Sequence, residues 1–210
     1  MWRRGRRCRR LLDVAVLDVA ALGVAVALAV SACASGSDAV VRGGQFNFVS
    51  PGGQTRIFYD PPVQRGVVSG LSGESLLEPG RTIGVDDFPG KVVVINIWGS
   101  WCGPCRAEMP HLQRVYAQTR DAGVQFLGVD VRDEVRSAPE DFVRDRQISY
   151  PSIYDPPGRS LLALRGYPRN VVPSTIVLDR RHRVAAVFLT ALLDTDLLPV
   201  VQRVAAEDTG

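Results

Sequence analysis

The chain has 210 residues, 46% hydrophobic and 22% charged, the proportions of a globular protein with a packed core rather than of a disordered one. Its formal net charge is +3, but residues 1–32 hold six arginines against Asp13 and Asp18, a local +4, so the remainder carries −1. A near-neutral body with no basic stripe lacks the electrostatic footprint of a nucleic-acid binder, and no nucleic acid is expected as partner.

In chain order, the first element is an arginine-rich head, "MWRRGRRCRR", followed by the apolar stretch "VAALGVAVALAV" and then "VSAC" at residues 30–33. A basic head, a short apolar core and small residues before a processing point predict a secretory signal over 1–32. Twelve apolar residues are too few for a comfortable transmembrane span, which needs about 20. "VSAC" resembles the bacterial lipobox, which implies cleavage before Cys33 and lipid attachment to it. The mature protein would then be exported and anchored to the outer face of the cell membrane as a lipoprotein. Residues 33–65, rich in Gly, Ser and Pro, read as a flexible tether with one short strand or hairpin near "FNFV" and "RIFY".

From residue 66 the pattern tightens into one domain reaching residue 210. "GVVSGL" and "RTIGV" are short strand candidates. "KVVVINIW" (91–98) is a continuous β-branched run that predicts a strand buried on both faces. "CRAEMPHLQRVYAQTRDAG" has helical spacing at Met109, Leu112, Val115 and Tyr116, closed by Gly123. "VQFLGVDV" predicts a second buried strand, "APEDFVRDRQI" a helix, "YPSIYD" a short extended piece and "GRSLLALRG" a short helix. "STIVLD" and "HRVAAVFL" predict a hairpin joined through "RRHR". A closing helix over 194–207 would be capped by Asp194 or Thr195. The order predicts the α/β class: a mixed central sheet layered with helices.

The chemistry concentrates in "WGSWCGPCRAEMP". A structural zinc site needs four ligands, and Cys102 and Cys105 have only His111, on the following helix, and His182, in an arginine-rich turn, for company. No metal is expected. A purely structural disulfide would close so small a loop that it removes little entropy from the unfolded chain. With Cys8 lost in the signal and Cys33 acylated, Cys102 and Cys105 have only each other to pair with. The pair sits where a buried strand turns into a helix. Free N–H groups and the helix dipole there favour a thiolate at Cys102, leaving Cys105 one turn further in to attack a mixed disulfide. The spacing is that of a redox couple, with a reversible disulfide and no other cofactor.

"WCGPC" in this strand–turn–helix context resembles the active-site motif of the thioredoxin fold. The wider stretch "GK-VVVINIWGSWCGPCRAEMP" resembles the TlpA/ResA/CcmG branch of exported or membrane-tethered thiol–disulfide oxidoreductases. The resemblance covers about Val67 to Ala206. It implies a thioredoxin-fold domain with an N-terminal hairpin extension and assigns Cys102 and Cys105 as the catalytic pair. It matches Glu108 to a glutamate held near the cysteines, against the simple alternative of a solvated surface glutamate. It matches Pro173 to a cis proline facing them, so that the backbone of Val172 can pair with an extended substrate chain. Trp101 would form part of an apolar docking face beside Cys102. Two departures stand out. Asn96 occupies the place of thioredoxin's buried aspartate, so any acid–base duty falls to Glu108; and "YPRNVVP" lacks the glycine expected before the proline.

By the same resemblance the partners are client protein thiols or disulfides, apocytochrome c among them, with electrons supplied by a membrane thiol-transfer protein. A Gly-Pro dipeptide between the cysteines favours a reductant serving cytochrome c maturation. A DsbE-like oxidant that introduces disulfides into exported proteins is the alternative within this chemistry. A non-catalytic thioredoxin-fold binding module or metallochaperone is the alternative outside it.

Overall fold

The computed structural model describes residues 44–49 and 52–207; the signal segment, Cys33 and the first part of the tether lie outside them. Eight strands are formed: β1 (Arg56–Phe58), β2 (Ser72–Glu74), β3 (Thr82–Gly84), β4 (Val92–Trp98), β5 (Val124–Asp130), β6 (Ser152–Tyr154), β7 (Ser174–Leu178) and β8 (Val184–Phe188). The helices are α1 (Gly103–Thr119), α2 (Ser137–Asp145) and α3 (Asp194–Ala205).

The main sheet runs β1-β8-β7-β4-β5-β6. β4, β5 and β6 are parallel, while β7, β8 and β1 add antiparallel neighbours, so the sheet is mixed as expected. All seven residues of β4 and of β5 are buried. The β-branched runs that read as strands in the sequence therefore form the centre of the sheet. Each fully buried Val, Ile or Leu side chain there contributes roughly 1.5–3 kcal/mol relative to exposure.

Pleating splits β4 between two cores. Val92, Val94 and Trp98 face Met109, Leu112 and Val115 of α1, Phe142 of α2 and Leu197, Val201 and Val204 of α3. Val93, Ile95 and Ile97 face the opposite way, towards Phe46, Phe48, Tyr59, Leu71 and Val85. All three helices thus bury their apolar stripes in one core, and the N-terminal segment closes the other.

That arrangement corrects the tether. From Gly44 onward its described part packs on the domain, because its aromatic side chains cover a sheet face that no helix covers. Nor do "FNFV" and "RIFY" pair as a hairpin. Arg56–Phe58 instead pairs antiparallel with Phe188–Ala186, capping the edge that β8 would otherwise expose. Gln45 and Asn47 make isolated bridges to Val67 and Arg165. The hairpin in this region is β2–β3, and beyond it Ser75 and Leu76 bond to the β6 edge. "GVVSGL" yields two isolated bridges at Val67, to Gln45 and Arg183, rather than a strand, and the expected helix at 158–166 shrinks to a 3-10 turn, Ser160–Ala163.

The closing helix also starts differently. Asp194 is already helical, and Asp196 accepts from the N–H of Leu193 at 3.1 Å. The Asp194 carboxylate is occupied by Arg114 and His111 of α1, which ties the two helices together.

Candidate active site

β4 delivers the chain to the turn Gly99–Ser100–Trp101, and Cys102 then caps α1. Its N–H donates to the carbonyl of Gly99 at 3.1 Å, and its Sγ accepts from the N–H of Cys105 at 3.2 Å. Pro104 lies in the first turn, where a missing N–H costs nothing. Cys102 and Cys105 are joined in a disulfide with an S–S distance of 2.08 Å and Cα atoms 5.2 Å apart. Cys105 is fully buried, whereas Cys102 keeps 4% of its surface open. The order is the one expected of an outer and an inner sulfur.

Gly99 is required by its neighbour, since a Cβ there would collide with the indole nitrogen of Trp101 and sit 2.9 Å from the carbonyl oxygen of Val131. The indole instead lies flat enough for its N–H to reach that same carbonyl at 2.9 Å. Trp101 stays 47% exposed beside Cys102, and the guanidinium of Arg132 covers its ring at 5.2 Å. Ser100 is held from the other strand: its N–H and Oγ both donate to the Asp133 carboxylate, each at 2.6 Å. Arg132 and Asp133 were not singled out in the sequence. Only their place just past the end of β5, beside the end of β4, marks them.

Glu108 is not a solvated surface residue. It is 2% exposed, with Oε1 accepting from Asn96 Nδ2 at 2.9 Å and Oε2 from the N–H of Leu192 at 3.0 Å. Burial pushes its carboxyl up to about 7, and the two hydrogen bonds pull against that without cancelling it. Asn96 also donates to Thr175 on β7 at 3.3 Å. The amide in the place of thioredoxin's aspartate therefore serves as the partner of the glutamate. A second carboxyl, Asp130 at the end of β5, is pushed up to about 9, foremost by burial and then by Asp133 and Asp155.

The Val172–Pro173 bond is cis, as the resemblance implied. Val172 packs on the core that contains both cysteines. Its N–H and C=O make no backbone hydrogen bond among the described residues. His111 is tied up with Asp194 and Arg114, and His182 bonds the carbonyl oxygen of Phe88 at 3.0 Å. The two histidines stand apart from the cysteine pair in separate polar contacts.

A mixed α/β sheet, a disulfide at a helix N-terminus, a buried carboxyl three residues on and a cis proline together define the thioredoxin-fold class. The AhpC/TSA family profile matches residues 73–187, more than half of the chain, and the chain belongs to this family. It is homologous to the thiol-disulfide oxidoreductase ResA of Bacillus thuringiensis subsp. konkukian, 31% identical over 105 residues, or 50% of this chain and 58% of that protein. The ResA of Geobacillus thermodenitrificans is 30% identical over 118 residues, 56% of this chain and 66% of that protein. The chain thus matches less than two thirds of these relatives' length. Among solved structures, a secreted thiol-disulfide isomerase from Corynebacterium glutamicum superposes with a TM-score of 0.76 at 44% identity, covering 79% of this chain and 100% of that one. A DsbF homologue from Corynebacterium diphtheriae gives 0.72 at 46%, covering 76% and 99%.

Proposed function

We propose that this protein is an exported thiol–disulfide oxidoreductase that exchanges disulfides with client proteins through Cys102 and Cys105. The observation that carries the reading is the Cys102–Cys105 disulfide at the N-terminus of α1, with the Glu108 carboxyl buried one helical turn beyond Cys105.

In the reducing direction, the Cys102 thiolate attacks a client disulfide. One client sulfur leaves as a thiolate and takes up a proton, and the other stays bonded to Cys102. Cys105 then gives its proton to the Glu108 carboxylate and attacks the Cys102 sulfur. The internal disulfide forms and the second client sulfur leaves, so two electrons have passed from protein to client. Glu108 suits this duty because a carboxyl near 7 is present in both forms at neutral pH. Val172, with its backbone groups free, aligns an extended client segment as an added strand, and Trp101 and Pro173 form the apolar floor beside the sulfurs. The site calls for no metal and no cofactor beyond the disulfide.

For direction, the reading is a reductant serving cytochrome c maturation and recharged by a membrane thiol-transfer protein. The Gly-Pro dipeptide and the ResA homology support it. The signal-like residues 1–32 support export, and "VSAC" supports lipid attachment at Cys33 and a place on the outer face of the membrane. The Corynebacterium relatives, a secreted isomerase and a DsbF homologue, favour a second reading in which disulfides are donated to exported proteins.

Insulin reduction tests the common chemistry. The wild type should turn over insulin disulfides with dithiothreitol, and Cys105→Ser should accumulate a covalent mixed disulfide through Cys102. No turnover and no trapped adduct would leave a binding module in its place.

A further inference from the structure

Next to Trp101, which its lining residues Val131 and Arg132 both contact, lies a cleft of about 530 Å³ whose walls also include Pro156, Pro157, Tyr167, Arg169 and Asn170. Its two arginines are exposed, and neither makes a salt bridge among the described residues. Among the described residues, Arg132 makes a backbone N–H bond to the Pro156 carbonyl and a cation–π contact with the Trp101 ring, and Arg169 has no ionic or hydrogen-bonding partner. Among the described residues no nearby acid, Glu134 included, forms an ion pair with either of them. Asp133 is spent on Ser100, and Asp155 accepts the N–H groups of Arg159 and Ser160.

The cleft is also continuous with the client-binding elements. Arg132 bridges its wall to Trp101, the residue before Cys102. Residues 167–170 lead within two residues to Val172, whose backbone groups make no hydrogen bond among the described residues. Arg132 holds a left-handed backbone, φ 62°, unusual for a residue other than glycine, with its N–H bonded to the Pro156 carbonyl at 3.0 Å. The peptide leading into Arg132 is held through both of its polar groups, the N–H by the Pro156 carbonyl and the Val131 C=O by the Trp101 indole.

We infer that this cleft receives an acidic segment of the client polypeptide flanking its reactive cysteine, with Arg132 and Arg169 as the residues that select for carboxylates. The inference rests on the thiol–disulfide reading and adds a client preference to it. Paired charges at a solvent-exposed rim act mainly on the association rate and weaken with salt. Two such contacts correspond to a preference of about 3- to 10-fold.

The test uses the full-length protein carrying Cys105→Ser and two cysteine peptides, each activated as a mixed disulfide with thionitrobenzoate. The peptides differ only in having three glutamates or three glutamines beside the cysteine. Attack of Cys102 on the peptide sulfur forms the protein–peptide disulfide and releases thionitrobenzoate, whose colour gives the second-order rate. The glutamate peptide should react about 3- to 10-fold faster at low ionic strength, with the advantage fading as salt rises. Arg169→Gln, a change at an exposed and unpartnered side chain, should reduce the ratio, and adding Arg132→Gln should bring it close to one. Equal rates for the two peptides, or a ratio that survives both substitutions, would overturn the cleft assignment while leaving thiol exchange intact. Failure of both peptides to react would overturn the thiol–disulfide reading and the inference with it.

Discussion

Asn96 donates its side-chain amide to the carboxyl of Glu108 at 2.9 Å, joining the middle of β4 to the first half of α1 directly behind the disulfide. Neither group has appreciable contact with solvent. Thioredoxin's acid is replaced at its own position by an amide, and the acid itself arrives from the helix. The electrostatics of the site follow from that exchange.

Glu108→Gln removes the titrating group and keeps the shape. The rate of client reduction in the wild type should show an inflection near pH 7, and this inflection should vanish in the variant together with about 100-fold in rate. Stability moves in the opposite sense. Because the folded-state pKa is raised, the native protein holds its proton more tightly than the unfolded chain does. The associated stability is fully present below pH ~4.5 and is lost as pH rises to about 7. Chemical denaturation at pH 5 and pH 8 should therefore favour the variant at the higher pH, by up to about 3 kcal/mol.

Asn96→Asp would set a second carboxyl against Glu108 in a buried space. Two carboxyls that close cannot both ionise readily, so the pair should hold one proton to higher pH than Glu108 does alone. The rate inflection should move above pH 7, and the variant should be less stable than the wild type at pH 8. An unshifted pH–rate profile would show that the Asn96 contact does not tune the acid.

Arg65 ties the N-terminal segment to the rest of the domain. Its side chain is fully buried and bonds the carbonyl of Tyr59 and the carboxylates of Asp60, Asp179 and Glu207. Arg65→Ala would leave Asp179 buried with Arg183 as its remaining counter-ion among the described residues. A loss of about 3–5 kcal/mol is expected in urea denaturation. The reduction potential of the cysteine pair, set on the helical side of the sheet, should stay where it was.

Cys33→Ala tests the anchor. Expressed with its own leader, the wild type should partition with membranes and take up labelled fatty acid, while the variant should be released or retained unprocessed without label. Equal partitioning and no label in either would remove the lipid from the account.

Much of this molecule can be read along the chain where one residue determines its neighbour's environment. "KVVVINIW" and "VQFLGVDV" form the central strands because largely apolar runs of that length suit a sheet covered on both faces, and "WCGPC" lies at the turn into a helix. The reading fails where partners come from far along the chain. The depth of Glu108 depends on Leu192, 84 residues away, and its spacing from Cys105 alone fitted a surface position equally well. Phe46, Phe48 and Tyr59 read as part of a tether because the glycines and prolines around them dominate the local composition. Their apolar character becomes decisive only beside a sheet face left bare by the helices. Asp133 escaped for the same reason, since nothing near it in sequence points to Ser100.

The most direct test of the account is the equilibrium reduction potential of the Cys102–Cys105 pair, measured against glutathione or dithiothreitol buffers, with the Cys102 pKa read from Cys105→Ser. A reductant working through this pair should show a potential near or below about −250 mV. A value of about −120 to −180 mV, with a Cys102 pKa well below ~7, would contradict the reductant reading and make the protein a donor of disulfides.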